Sequence, residues 1–71
     1  MEIFDSAKLI CLRKDKKLSQ EELSQQVQVN QSTIGRWESG KSIPDANHLL
    51  ALCITLGINM QELFSLSPIS F

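Results

Sequence analysis

The side chains that could do chemistry in this sequence are suited to recognition, because the groups that catalysis needs are missing. His48 is the only histidine, and on a predicted helix it is most simply a surface or half-buried residue. The sequence shows no glycine-rich phosphate loop, no zinc-binding spacing of Cys and His, and no nucleophile beside a base. We therefore expect a protein that is not an enzyme, with no catalytic residues, no metal site and no cofactor.

The polar groups concentrate in residues 19–40, SQEELSQQVQVNQSTIGRWESG, where the pattern predicts two short helices joined by a turn. Ser19 and Glu22 have the capping-box spacing, in which each side chain bonds the other residue's backbone amide. Asn30 is a good N-cap for the second helix, Gln31–Ser39. This layout is typical of a helix-turn-helix, whose second helix enters the DNA major groove.

The second helix of this pair has an apolar side and a polar side. Ile34 and Trp37, three residues apart, form the side that we expect to be buried. Gly40 suits the left-handed conformation that ends a helix. The residues on the side of this helix that we expect to be exposed are short or polar: Gln31, Ser32, Gly35 and Arg36. A glycine costs a helix interior about 1 kcal/mol relative to alanine. Gly35 therefore serves close approach of a bulky ligand, packs tightly on a neighbour, or is merely tolerated.

Three further helices are predicted around this pair, which makes the fold class all-α. Their bounds are residues 3–17, 46–56 and 60–64. Asp5 or Ser6 is expected to cap the first, and Asp45 to cap the second, which Gly57 ends. We predict one helix-turn-helix domain over residues 1–64. The apolar tail, residues 65–71, is expected to dock on its own domain or on a second copy.

Composition and charge bound the class of protein. A chain of 71 residues makes one small domain, and without a signal peptide or a membrane-spanning run we expect it to be cytoplasmic. The net charge of −1 argues mildly against nucleic acid. Four basic residues nevertheless share one five-residue window: Arg13, Lys14, Lys16 and Lys17. They serve either as phosphate contacts or as a solvated helix end. Cys11 and Cys53 are expected to be buried and reduced.

Together these segments resemble a known family. The run LSQEEL at residues 18–23, the run I-x-x-W-E-x-G at residues 34–40, Pro44 and the weaker run LCITLG are similar to those of the Cro and phage-repressor (XRE-type) helix-turn-helix family. The resemblance covers residues 9–64, and only the combination of these markers is specific. It implies a compact, lambda-repressor-like bundle of five helices. It also implies a homodimer on a palindromic operator in double-stranded DNA, with the third helix in the major groove.

The resemblance also implies roles for individual residues. The base-reading places of the family fall on Gln31, Ser32 and Arg36. The phosphate-contact places fall on four residues, Gln20, Asn30, Lys41 and Ser42, and Gln20 is also expected to brace Gln31. Arg13 and Glu38 match a salt bridge that ties the first helix to the end of the third. Lys17 and Gln28 stand where the family often has glycine, so we expect both at positive φ or in a shifted turn.

Two functions follow from these observations. The polar side of the third helix favours a sequence-specific transcriptional regulator, most simply a repressor. The near-neutral charge and the apolar tail favour, more weakly, a protein-interaction module such as the antitoxin of a toxin–antitoxin pair. A DNA-binding part of a longer regulator would show the same sequence features.

Overall fold

The computed structural model describes residues 2–66 as four α-helices, one 3₁₀ helix and a two-stranded sheet. The elements in chain order are β1 (Glu2–Phe4), α1 (Ser6–Asp15), α2 (Gln20–Val27), α3 (Gln31–Ser39), α4 (Ala46–Leu56), the 3₁₀ helix (Met60–Leu63) and β2 (Phe64–Leu66). The helix-turn-helix fold predicted from the sequence is confirmed, with four α-helices rather than five. No helix in residues 2–66 is long and apolar enough to span a bilayer.

The first predicted helix was drawn too long at both ends. Its first residues form β1, which pairs antiparallel with β2 so that Ile3 lies opposite Ser65. Helical periodicity could not show this pairing, because the two strands are about sixty residues apart. At the other end, Lys17 has a φ of 58°, which ends the helical conformation.

The last predicted helix is a single 3₁₀ turn followed by β2. The ring of Phe64 meets Phe4 edge-on, with centroids 6.1 Å apart, and the backbone amide of Asp5 donates to the carbonyl of Leu63 at 2.8 Å. These contacts join the start of the described chain to its end. Ser65 and Leu66, predicted as the first residues of the tail, belong to β2, and residues 67–71 lie outside the described residues.

The core draws side chains from all four α-helices and from the 3₁₀ helix. Its fully buried members are Leu9, Leu23, Ile34, Leu52, Leu56 and Leu63. α2 packs against both α3 and α4, while α1 packs against α3. The core therefore holds the helix-turn-helix pair from behind and leaves the far side of α3 open.

Side-chain caps fix most of the helix starts. Asp5 accepts from the amide of Ala7 at 3.0 Å, and Asp45 accepts from that of His48 at 2.8 Å. The capping box of α2 is complete, with Ser19 Oγ accepting at 3.0 Å and Glu22 Oε1 accepting at 2.9 Å. These contacts confirm the predicted caps at Asp5, Ser19 and Asp45, whereas Asn30 stands at the N-cap position of α3 without a side-chain capping hydrogen bond.

The two cysteines differ in exposure. Cys53 is buried as predicted, but Cys11 is exposed. The prediction for Cys11 was wrong because α1 buries only Leu9 completely and leaves the side carrying Cys11 to solvent. Burial, with a smaller contribution from the carboxylate of Glu62, raises the pKa of the Cys53 thiol.

Candidate nucleic-acid interface

α3 is anchored to the domain by its apolar side. Ile34 is fully buried and Trp37 nearly so, and the indole ring of Trp37 lies against His48 of α4, with centroids 5.4 Å apart. Val29, in the turn before α3, packs half-buried against the same core. These contacts fix the position of α3 on the domain.

The turn between α2 and α3 depends on one residue in the left-handed conformation. Gln28 has φ 64° and ψ 47° and ends α2. Its amide and that of Val29 both donate to the carbonyl of Ser24, the latter at 2.9 Å. The positive φ expected at Gln28 is confirmed, as is that at Lys17.

The outer side of α3 carries the three residues predicted to read bases. Gln31, Ser32 and Arg36 are all exposed, and Ser32 and Arg36 lie one turn apart. A Cβ built on Gly35 would meet no heavy atom within 4 Å. Gly35 therefore does not pack tightly on a neighbour in the described residues, which leaves close approach of a ligand or mere tolerance of the glycine.

Glu38 is the centre of the polar contacts that hold the helices together. Arg13 donates to it twice, from Nε to Oε2 at 2.6 Å and from Nη2 to Oε1 at 3.2 Å. Arg13 Nη1 also donates to the carbonyl of Leu18 at 2.8 Å. The side chains of Arg13 and Glu38 are only 11% and 5% exposed. The ion pair thus links α1, the loop before α2, and α3.

Gln20 is placed differently from what the resemblance implied. Its side-chain amide donates to Glu38 Oε1 at 2.9 Å, and no hydrogen bond in the described residues joins it to Gln31. A carboxylate is a stronger acceptor than an amide oxygen, so Glu38 holds the amide of Gln20. A signal for this arrangement existed in the sequence: Glu38 is four residues after Ile34 and therefore on the buried side, where a charge needs partners.

The residues predicted to touch phosphates lie at the ends of α3 and at the start of α2. Asn30 is exposed at the N-terminus of α3, and its side chain makes no capping hydrogen bond. Beyond the other end, the amides of Lys41 and Ser42 both donate to the carbonyl of Arg36, at 2.9 and 3.4 Å. Lys41 is exposed and Ser42 half-buried. The structure brings Lys41 and Ser42 close to Arg36 and leaves Asn30 at the opposite end.

The basic residues are confined to one part of the chain. All seven Lys and Arg lie within residues 8–41. Of the four in the basic window, Arg13 is held by Glu38, and Lys14, Lys16 and Lys17 are exposed. In residues 2–66, no group of His, Cys, Asp and Glu is arranged to hold a metal ion.

Comparison with known proteins decides the family. A family model described as helix-turn-helix matches residues 12–63. The chain belongs to the Cro and phage-repressor (XRE-type) helix-turn-helix family. Among curated proteins, it is 38% identical over 58 residues to the HTH-type transcriptional activator BcrR of Enterococcus faecalis. That match covers 82% of this chain but only 28% of BcrR.

Solved structures of this family share the fold over most of the chain. The restriction-modification controller protein C.AhdI of Aeromonas hydrophila matches with a TM-score of 0.78 and 34% identity, covering 83% of this chain and 89% of that one. The P22 c2 repressor, solved in complex with a synthetic operator, matches with a TM-score of 0.78 and 29% identity, covering 82% and 88%. This chain is thus a helix-turn-helix domain of the kind found in transcription regulators, and not an enzyme.

Proposed function

We propose that the chain represses transcription by binding a palindromic operator in double-stranded DNA as a homodimer, with α3 in the major groove. The observation that carries the proposal is the exposed polar side of α3, on a helix whose other side is anchored in the core. The similarity to a repressor solved with its operator supports the same proposal.

The chemistry of the exposed side chains suits base edges. Arg36 can donate two hydrogen bonds to O6 and N7 of guanine, and Gln31 can bond N6 and N7 of adenine. Ser32 can donate to or accept from several base edges. Gly35 lies on the same helix with open space where a side chain would be, so the α3 backbone can approach the bases closely.

Phosphate contacts set the register of α3 in the groove. Lys41 and Ser42 lie near Arg36, and Asn30 lies at the opposite end of α3. Gln20 has a second amide hydrogen besides the one donated to Glu38. That hydrogen has no acceptor within residues 2–66, so Gln20 can donate it to a phosphate. Together these four residues are proposed to hold the DNA backbone on both sides of α3.

The low charge of the domain favours two copies on each operator. With a net charge of −1, one copy neutralises few phosphates and gains little from counterion release. A second copy doubles both the phosphate contacts and the base contacts. A two-fold symmetric protein requires a palindromic site.

Selection of bound fragments from random duplex DNA tests the proposal. We expect an enriched inverted repeat whose half-sites are about 34 Å apart, the length of one helical turn. A reporter gene placed behind that site should be expressed less when the protein is present. An unenriched pool would contradict DNA reading and favour the antitoxin-like alternative, while increased reporter expression would make the protein an activator.

A further inference from the structure

The sheet of β1 and β2 has two outer edges, and its hydrogen-bond pattern shows which backbone groups lie on them. The amide of Asp5 donates to the carbonyl of Leu63 at 2.8 Å and continues the ladder beyond the strands. Hydrogen-bonded and non-hydrogen-bonded pairs alternate along an antiparallel ladder. Ile3 is therefore hydrogen-bonded within the sheet, whereas the backbone groups of Phe4 and Phe64 point away from each other, towards the two outer edges.

The outer edge of β2 is closed by groups of its own domain, and that of β1 is open. The amide of Phe64 donates to the carbonyl of Gln61, and its carbonyl accepts from Lys8 Nζ at 2.8 Å. In the described part of the chain, the outward amide and carbonyl of Phe4 take part in no hydrogen bond. Those of Glu2, two residues earlier, point the same way. An open strand edge is a template for a further strand.

We propose that the open edge of β1 pairs with β1 of a second copy of this chain, antiparallel and centred on Ile3. In this register the outward amide and carbonyl of Glu2 meet those of Phe4 in the second copy, and the reverse holds by symmetry. Two strands related by a two-fold axis present the same surface to each other, so the open edge of β1 is sufficient for both copies.

The charge of Glu2 selects this register among the three that the short strand allows. A register centred on Glu2 would set two carboxylates opposite each other, which is destabilising. A register centred on Phe4 would set Glu2 opposite Ser6, which belongs to α1 and cannot pair. The register centred on Ile3 avoids both faults. It also brings together the two Ile3 side chains, each 39% exposed in the single copy.

The length of β1 predicts weak association. The strand has three residues, far fewer than the twenty or more on each side of a stable interface, which buries about 800 Å² per partner. A covalent trap is therefore a better measurement than an equilibrium one. The pairing goes beyond the proposed function, because it uses neither α3 nor DNA.

Disulfide trapping of the full chain tests the register. Ile3→Cys is combined with Cys11→Ser, because Cys11 is exposed while Cys53 is buried. The Cα atoms of a non-hydrogen-bonded antiparallel pair lie about 4.5 Å apart, a distance that a disulfide spans. We therefore expect a covalent dimer under oxidised glutathione. Leu66→Cys in the same background is the matched control: Leu66 is 73% exposed but lies on β2, so this variant should stay monomeric over the same time.

Substitution of Glu2 tests the backbone pairing itself. Its amide points away from β2, so Glu2→Pro removes an outward donor and leaves the ladder between β1 and β2 intact. In the Ile3→Cys, Cys11→Ser chain we expect Glu2→Pro to slow dimer formation about tenfold. Glu2→Ala keeps the amide and loses only the charge, so it should dimerise at least as fast as the parent chain. Thermal melting should show both variants folded.

Three results would overturn the proposal. If the Ile3→Cys chain stays monomeric, the edge of β1 does not take a second copy and is left for a strand of another protein. Equal dimer formation by Ile3→Cys and Leu66→Cys would mean that the copies meet by unspecific collision. Equal rates for Glu2→Pro and Glu2→Ala would mean that the outward backbone groups do not pair.

Failure of the proposed function gives a different result. Binding to a single DNA half-site depends on α3, so Ile3→Cys and Glu2→Pro should bind it as the wild type does. If the wild type binds no DNA while the Ile3→Cys dimer still forms, the strand pairing stands and the proposed function fails. If DNA is bound but no dimer is trapped, the proposed function stands and the strand pairing fails.

Discussion

The side-chain amide of Gln20 and the carboxylate of Glu38 are joined by a 2.9 Å hydrogen bond, on the oxygen that Arg13 Nη2 also reaches. One buried carboxylate thus receives side chains from α1 and α2 while itself belonging to α3. Because a domain of this size has a small core, this polar contact helps to set how α3 sits on the domain.

Removing the charge of Glu38 should destabilise the domain strongly. In Glu38→Gln the guanidinium of Arg13 stays buried without its counter-charge, and breaking such a pair costs about 3 kcal/mol. Urea denaturation followed by circular dichroism would measure the loss in the free energy of unfolding. With a total stability of about 5 kcal/mol for a small domain, about 2 kcal/mol would remain, so a few per cent of the protein would be unfolded.

A double-mutant cycle provides the control for this effect. Arg13→Met combined with Glu38→Met removes both charges, so its cost should be well below the sum of the two single changes. If the three variants instead show simple additivity, the ion pair contributes nothing specific to the fold.

Arg36 and Lys41 should separate base reading from phosphate contact. Under the proposed function, Arg36→Ala costs about 1–3 kcal/mol of binding and relaxes the preference at one base pair. Lys41→Ala should weaken binding to selected and random DNA alike. It should also reduce the slope of the logarithm of the binding constant against the logarithm of the salt concentration by about one. Gel shifts on both kinds of DNA at several salt concentrations would measure these effects.

Lys14→Ala serves as a control for the loss of one positive charge, since Lys14 is exposed in the basic window and has no proposed base contact. Equal losses on selected and random DNA for Arg36→Ala would rule out base reading by that residue.

How much of the structure the sequence predicts depends on how far apart in the chain the interacting residues lie. A local signal was sufficient for the capping box at Ser19, because a cap depends on neighbouring residues. The positive φ at Gln28 was expected only from the family resemblance. The pairing of Ile3 with Ser65 was missed, because two three-residue strands carry no periodicity of their own. The contact from Gln20 to Glu38 was missed as well, because choosing between two polar partners needs coordinates.

Gln28→Gly should stabilise the domain. A non-glycine residue in the left-handed conformation carries a strain of about 1 kcal/mol, and glycine adopts the φ of 64° without it. We expect the free energy of unfolding to rise by up to about 1 kcal/mol, measured by urea denaturation.

Gln25→Gly is the matched control, since Gln25 is exposed within α2. There glycine should lower the stability by about 1 kcal/mol. Destabilisation by both changes would mean that the side chain of Gln28 makes a contribution that outweighs its backbone strain.

Gly35→Ala should raise stability and lower DNA binding. The added methyl group meets no neighbour in the domain, so α3 gains about 1 kcal/mol of helix propensity. The same methyl group projects where the bases are proposed to approach. Thermal melting and gel shifts on the selected operator would show the two opposite effects.

Gly40→Ala is the control for the stability gain predicted for Gly35→Ala. Gly40 has a φ of 80°, so alanine there should destabilise the domain by about 1–2 kcal/mol. Full operator affinity in Gly35→Ala would contradict close approach of the bases at this position.

The stability of the domain should fall at alkaline pH because of Cys53. Burial raises the pKa of this thiol above its ordinary value of 9.0, so the folded state keeps a proton that the unfolded state has lost. The contribution is fully present below pH 9.0 and is lost as the pH rises through the folded pKa. Urea denaturation at a series of pH values across this range would measure the decline.

Cys11 offers the control, since it is exposed on α1. Cys11→Ser should keep the alkaline decline, while Cys53→Ala should reduce it even though the lost volume lowers stability at every pH. Iodoacetamide should alkylate Cys11 quickly and Cys53 only as the domain opens, because the thiolate is the reactive form and Cys53 is both buried and protonated. Equal alkylation rates for the two thiols in the folded protein would contradict the burial of Cys53.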